Sequence, residues 1–356
     1  MESHVAGLSE GLVSRGLAVD MLTSRSRADL SATEAMRGVR VHRVWMPSRD
    51  SLGWLAHIGA TIPVHRRLAR VADVFHAHTF ACGVPAMLSR RVTPRPYVLT
   101  LHTSHFLMRA QRRTWRPILR RIIRRADHLL ATSEEIRQVA LDLFPHPRSE
   151  LMTNAVDTER FSPTDRSPPP AGRRRLIVPR RLFPKNGVEY FVAALPLIAR
   201  EVDVEARIVG DGPERDRLTR LASELDMTDR IEFLGACPNE RMPELLGEAE
   251  LAVIPSLLEA TSIAALEAMS CGLPVAASAV GGLPEIIDRQ VGALFPPRDP
   301  EALAAAVVAL LTREDLPELG KEARRRVVAN WSLERLVQRH IEIYQELLDE
   351  AKEKGH

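Results

Sequence analysis

Cysteine is scarce: Cys82, Cys237 and Cys271 are the only three in 356 residues, widely spaced and odd in number. They form neither a metal signature nor a disulfide framework, so a reducing, cytoplasmic setting is the expectation. Aromatic residues make up only 4%, and the core therefore has to be built from Leu, Val, Ile and Ala. No run approaches the roughly 20 apolar residues of a membrane-spanning helix. The first residues lack the basic-then-apolar pattern of a secretory signal. The formal net charge of +3 is too small to argue for nucleic acid as a partner of the whole chain. No Asp-x-Asp stands in a metal-site context, and none of these features implies a metal.

What is present is alternation. In the first half, 17–23, 38–44, 71–78, 97–102 and 128–133 read as short buried strands, with helical stretches at 3–15, 80–91 and 109–126. In the second half, strands are expected at 175–181, 205–210, 230–235, 251–256, 274–278 and 292–295. Helices are expected between them at about 187–200, 213–226, 240–248, 262–271, 281–288 and 299–312. Strands alternating with helices predict parallel βαβ units. "SPTDRSPPPAGRRR" (162–175), with three consecutive prolines, reads as an exposed linker. The expected organisation is a first domain over 1–163, a linker over 164–175, a second domain over 176–331, and a terminal amphipathic helix over 332–356, N-capped by Ser332 and crossing back to the first domain. The fold class is α/β, two Rossmann-like domains across a cleft, with ligands beyond the carboxyl ends of the strands.

One stretch, "SLLEATSIAALEAMSCGLPV" (256–275), sets two glutamates in apolar surroundings, where carboxylates are rarely left without a partner. Glu259 falls in the loop after the strand "LAVIPS". Thr261 or Ser262 can cap the following helix, whose free N–H groups favour an anion. Glu267, about one and a half turns on, can accept two hydrogen bonds from vicinal hydroxyls. Taken singly, either glutamate reads more readily as a solvated residue, Glu259 in a loop and Glu267 on a helix surface. Together they match a sugar joined to a nucleoside through a diphosphate.

This segment resembles the Glu-x7-Glu signature of retaining glycosyltransferases of GT-B fold in the large family 4 group. "RRLFPKNGVEYFVAAL" (180–195) resembles the family's Arg…Lys phosphate-binding segment, and "IVGDGPERDRL" (208–218) its Gly-x-Gly turn. "FLGACPNERMPELL" (233–246) resembles the base-binding loop. "VGGLPEII" (280–287) and "GALFPPRDPEALAAAV" (292–307) follow in order. "TNAVDTERFSP" (153–163) resembles the exit motif of the first domain, with Ala155 where Gly is usual. "VLTLHTSH" (98–105) resembles the segment bearing the active-site histidine, and "ATSEEIR" (131–137) a further hallmark. In the family, a strand and a Gly-Gly turn precede a segment like "ESHVAGLSEGLVSRGLAVDMLT". Here Met1 stands where the residue after that turn would be. The expectation is a first domain lacking its first strand, through a misassigned start or a truncation ahead of a genuine loss of the piece.

The resemblance implies transfer of a sugar, with retention, from a nucleotide-diphosphate sugar to a hydroxyl of a lipid or saccharide acceptor. It implies no resident cofactor and no metal. Arg181 and Lys185 would stabilise the leaving diphosphate. Glu259 and His102 would contact the transferred sugar, with His105 a weaker candidate. Glu267 would hold the ribose. Gly210, Asp211, Pro238, Met242, Ala260, Thr261 and Ser262 would complete the donor site, although Asp211 reads equally as a plain turn residue. A GT-B epimerase and an inactive nucleotide-sugar-binding chain are the alternatives. Finally, "RAQRRTWRPILRRIIRRADHLL" (109–130) holds eight arginines interleaved with apolar residues. It reads either as a face for an anionic membrane, through 109–125, or as a domain helix with its stripe in the core.

Overall fold

The computed structural model describes residues 2–25, 27, 29–48, 51–90, 93–102, 104–164, 172–259 and 262–353. They divide into two compact α/β units. One combines the chain up to Thr153 with the residues from Leu333 onward, and the other runs from Asn154 to Ser332.

The first unit contains β1 (Asp20–Arg25), β2 (Thr33–Met36), β3 (Val39–Trp45), β4 (Phe75–Ala77), β5 (Tyr97–Leu101), β6 (His128–Ala131) and β7 (Ser149–Leu151). These strands form two sheets, β1-β3-β2 and β4-β5-β6-β7. The four-stranded sheet is parallel throughout. β5 and β6 are buried at every position, as strands covered on both faces must be, and this makes them continuous apolar runs in the sequence.

Several elements carry no such run. β2 is mostly exposed and pairs antiparallel with β3. Arg37 and Gly38, both at positive φ, make the turn that joins them. Helix Ser51–Ala69 contains Pro63 and two glycines, which dilute its helical signal. The helix expected over 109–126 is two, Ser104–Ala110 and Arg116–Arg125, the second starting with Pro117 in its first turn. In this second helix Leu119, Ile122 and Ile123 are spent on the core of the unit. The apolar stripe is therefore not free to enter a lipid surface; the arginines, Pro117 and Ile118 face outward. Among the described residues no helix is long and apolar enough to cross a membrane.

Helix Leu333–Glu353 belongs to this first unit. It packs on helix Glu2–Ser14, where Gly11 allows the approach of Val337. Arg339 pairs with Glu150 at 2.5 Å and Arg148 with Glu350 at 2.6 Å. Tyr344 Oη lies 2.6 Å from His76 Nδ1.

The second unit contains β8 (Arg174–Val178), β9 (Val204–Val209), β10 (Ile231–Gly235), β11 (Leu251–Ile254), β12 (Val275–Ser278) and β13 (Gly292–Phe295). They form one parallel sheet in the order β10-β9-β8-β11-β12-β13. Alternate residues serve two cores. Leu176, Val178, Leu251 and Val253 face one side; Ile177, Ala252 and Ile254 face the other. The units divide ahead of the expected 164–175 linker, because Val156 and Phe161 are buried in the second core. β8 begins at Arg174, inside the stretch assigned to the linker, and 165–171 lie outside the described residues.

Arg324, on helix Leu316–Asn330, holds this entry segment in place. Its guanidinium donates to the carbonyls of Thr158 and Phe161 at 2.7 Å and to the Ser270 carbonyl at 3.0 Å. Arg324→Met removes the donor and leaves several acceptors unpaired. We expect a loss of about 2–4 kcal/mol in denaturant-unfolding stability. A loss within ±0.5 kcal/mol, the range typical of surface substitutions, would show that water replaces it.

Candidate functional site

β8 is the first strand, in chain order, of the second unit's sheet and lies between β9 and β11. The chain builds outward from it on one side through β9 and β10, then crosses to the other side for β11, β12 and β13. The loops after β8 and β11 thus diverge at the point where strand order reverses, which is where open α/β sheets hold ligands.

The loop after β8 is tied to the loops after β9 and β11. Leu182 N–H donates to Asp211 O at 3.0 Å, and Glu214 N–H to Leu182 O at 3.1 Å. Leu257 N–H donates to Lys185 O at 2.8 Å. Gly210, at φ 152°, sits where a Cβ would meet Arg180 O at 2.2 Å. Gly281, at φ 53°, sits where one would meet Glu259 O at 1.6 Å. Both positions demand glycine, by conformation and by space.

The centre of this arrangement is Arg180. Its guanidinium pairs with the Glu259 carboxylate, donates to Ser256 Oγ, and reaches Ser262 Oγ at 3.4 Å. Arg180 and Glu259 are largely buried, with side chains 10% and 17% exposed. Ser262 N-caps helix Ile263–Ser270, accepting from Ala265 N–H at 3.3 Å. Ala260 and Thr261 lie outside the described residues.

Arg181 and Lys185 flank this pair and are exposed. Arg181 lies 5.7 Å from the Phe183 ring. Among the described residues neither has an acidic partner. They are thus two uncompensated cations beside a neutralised pair, an arrangement suited to an anion. Glu267 is half-buried on the same helix, with no hydrogen-bond donor to its carboxylate among the described residues. Burial pushes its pKa up to about 7, against the opposing pull of Arg160.

Three expected members sit differently. Asp211 uses its carboxylate to accept from Gly212 N–H at 2.8 Å, so its side chain serves the turn. Pro238 is exposed on the loop after β10. Met242 is only 8% exposed and packs into the core with Val156 and Leu245, which leaves little of it to line a pocket. Arg180 and Ser256 were not among the expected residues. The consecutive arginines 180 and 181 were the signal, but adjacency does not say which one turns inward.

His102 lies in the first unit, just past β5, and is 4% exposed. Its Nε2 is 3.2 Å from His78 Nδ1, and the His4 ring packs edge-on with centroids 4.9 Å apart. Burial and nearby imidazoles push its pKa down to about 3, so at neutral pH it is an uncharged hydrogen-bonding group.

Residues 163–329 match the family model described as glycosyl transferases group 1, and residues 1–160 the one described as glycosyltransferase family 4. A D-inositol 3-phosphate glycosyltransferase of Geodermatophilus obscurus is 34% identical, over 97% of this chain and 84% of that protein. An uncharacterized glycosyltransferase of Methanocaldococcus jannaschii is 26% identical, over 96% and 93%. Among solved structures, sucrose-phosphate synthase from Thermosynechococcus elongatus superposes with a TM-score of 0.81 at 25% identity, covering 97% of this chain and 92% of that one. Anabaena HepE in complex with UDP gives a TM-score of 0.73 at 18% identity, covering 93% and 100%, a likeness of fold.

Arg180→Met leaves Glu259 without its cation in a largely dry place. We expect a loss of about 2–4 kcal/mol in unfolding free energy. In the double variant with Glu259→Leu, part of the loss returns, and a double-mutant cycle gives a coupling of about 1–3 kcal/mol. A coupling of zero would show that the two side chains act independently.

Proposed function

Because the chain belongs to the glycosyl transferases group 1 family and has the GT-B fold, we propose that it transfers a sugar, with retention of configuration, from a nucleotide-diphosphate sugar to a hydroxyl acceptor. The observation that carries this is the pair of uncompensated cations, Arg181 and Lys185, at the reversal of strand order. As the bond from the anomeric carbon to the diphosphate oxygen breaks, the leaving nucleotide gains one negative charge. A guanidinium and an ammonium beside it stabilise that charge, and the reading therefore assigns the transfer no metal and no cofactor beyond the donor itself. The acceptor hydroxyl gives its proton to a donor phosphate oxygen as the new glycosidic bond forms.

Glu267 holds the ribose hydroxyls. Glu259 keeps lone pairs free beyond those engaged by Arg180 and accepts from a hydroxyl of the transferred sugar. Arg180 is then a positioning residue. His102 donates or accepts at the sugar as a neutral imidazole. Ser262 and the N–H groups that follow it support the phosphate, and Gly210 lets the backbone come close.

The acceptor is placed among lipid and saccharide hydroxyls. None of the eight arginines in 109–125 has an ion-pair partner among the described residues, and Arg109 stacks on Trp115 at 4.3 Å. Their charge favours an anionic acceptor or an anionic membrane surface, engaged by attraction alone since the apolar stripe is buried. The relative named for D-inositol 3-phosphate also takes an anionic acceptor by its name. A cytoplasmic location, against the inner face of a membrane, fits these features.

Calorimetric titration with UDP-, GDP- and ADP-sugars tests the donor reading. One donor is expected to bind, and both Arg181→Ala and Glu267→Ala to weaken it by about 10- to 100-fold, the worth of a charge-assisted hydrogen bond. No binding by folded protein would overturn it. The pH dependence has a fixed sign. The Glu267 carboxyl has its pKa raised to about 7, and ribose hydroxyls need the ionised form as acceptor. Affinity should therefore rise as pH rises towards 7 and level off above it, with proton release on binding below that point. Glu267→Gln should flatten the profile; an unchanged profile would place the ribose elsewhere.

A further inference from the structure

Sequence motifs for metals rest on close spacing, and this chain has none; yet the first unit brings three distant histidines together. His4 is on helix Glu2–Ser14, His78 just follows β4, and His102 just follows β5. One ring nitrogen from each lies within 4.8 Å of the others. The His78 Nδ1 to His102 Nε2 separation is 3.2 Å. Two nitrogens bound to one tetrahedral zinc at about 2.0–2.1 Å stand about 3.3–3.4 Å apart, so this pair is already at the spacing of two ligands.

The third member carries the argument further. His4 is only 4% exposed, and neither Nδ1 nor Nε2 has a hydrogen-bond partner among the described residues. An imidazole buried with both nitrogens idle pays a desolvation penalty, and a bound ion would relieve it at the nitrogen that bears the lone pair. The neighbouring histidines do not compete for the place. His76 stacks on His78 with centroids 4.1 Å apart, and its own nitrogens are engaged by Tyr344 Oη at 2.6 Å and Thr100 Oγ1 at 2.7 Å. It braces His78 from behind. His340 Nδ1 is taken by Leu336 O at 2.7 Å, and its Nε2, though buried without a partner, is not in the group of nitrogens within 4.8 Å of one another.

We infer that His4, His78 and His102 form a binding site for a first-row transition-metal dication, zinc above all. Three imidazoles with no carboxylate among them suit zinc, copper, nickel or cobalt and not magnesium or calcium. Three protein ligands leave a fourth position for water. The neutral imidazole is the ligating form. The ion would fasten helix Glu2–Ser14 to the carboxyl ends of β4 and β5. In the sugar-transfer reading, on which this one consequence rests, bound metal takes His102 away from the sugar, so zinc inhibits turnover rather than assisting it.

The test needs no donor and no activity. The full chain, stripped with chelator and dialysed, is titrated with Co²⁺, then with Zn²⁺. A visible absorption band of tetrahedral Co²⁺ that saturates at one equivalent and is bleached by Zn²⁺ is expected. His4→Ala and His78→Ala should each weaken Zn²⁺ binding by at least 100-fold, while His105→Ala, at an exposed position, should not. X-ray absorption on the unaltered zinc-loaded chain should show three imidazole nitrogens at about 2.0–2.1 Å, a readout that does not depend on the variants folding. Folded wild-type protein that takes up no stoichiometric Co²⁺ or Zn²⁺, binding that survives both His4→Ala and His78→Ala, or fewer than three imidazoles around the zinc would each overturn the inference.

Discussion

The ion pair between Arg180 and Glu259 is the contact on which the second unit's ligand-facing edge depends. It joins the loop after β8 to the loop after β11 across the one place in the sheet where strand order reverses. Around it the backbone is drawn so tight that Gly210 and Gly281 touch the carbonyls of Arg180 and Glu259. A largely buried carboxylate is tolerated here because the Arg180 guanidinium, itself steadied by the Ser256 hydroxyl, pairs with it. With that charge settled inside, Arg181 and Lys185 are left facing outward without partners. The division of labour between adjacent arginines follows from the turn: one side chain goes in to hold the loops, and the next goes out to solvent.

The first unit is organised around a different constraint. Its parallel sheet is dry at β5 and β6, and the polar groups at the strands' carboxyl ends are imidazoles that satisfy one another or the hydroxyls of Thr100 and Tyr344. The terminal helix is part of this network. Tyr344 and His340 stand beside His76, and Arg339 pairs with Glu150 on β7. The helix is thus fastened by polar contacts at named points as well as by its apolar stripe, which includes Leu336, Val337, Ile343 and Leu347.

Strands buried at every position were legible because each is a mostly apolar run: β5, β6, β11 and β12 fall on expected segments. β2 was not, because an exposed edge strand has no apolar run to read. Helix Ser51–Ala69 was not, because Gly53, Gly59 and Pro63 argue locally against the helix that tertiary packing imposes. The arginine-rich helix was legible as amphipathic, but the direction of its stripe was not. Periodicity says that one face is apolar; what that face meets depends on the neighbouring sheet.

By itself the sequence determined the α/β class, the two-part organisation, and the family to which the chain belongs. These rest on composition, periodicity and motifs, which are local in the chain. Only the tertiary structure decided that Arg180 rather than Arg181 meets Glu259, that Asp211 serves its own turn, and that Met242 belongs to the core. It alone brought His4, His78 and His102 within ligating distance of one another. Each of these depends on which way a side chain points once distant segments pack, and on how far burial strips a polar group of water. Neither quantity exists until the chain has closed on itself.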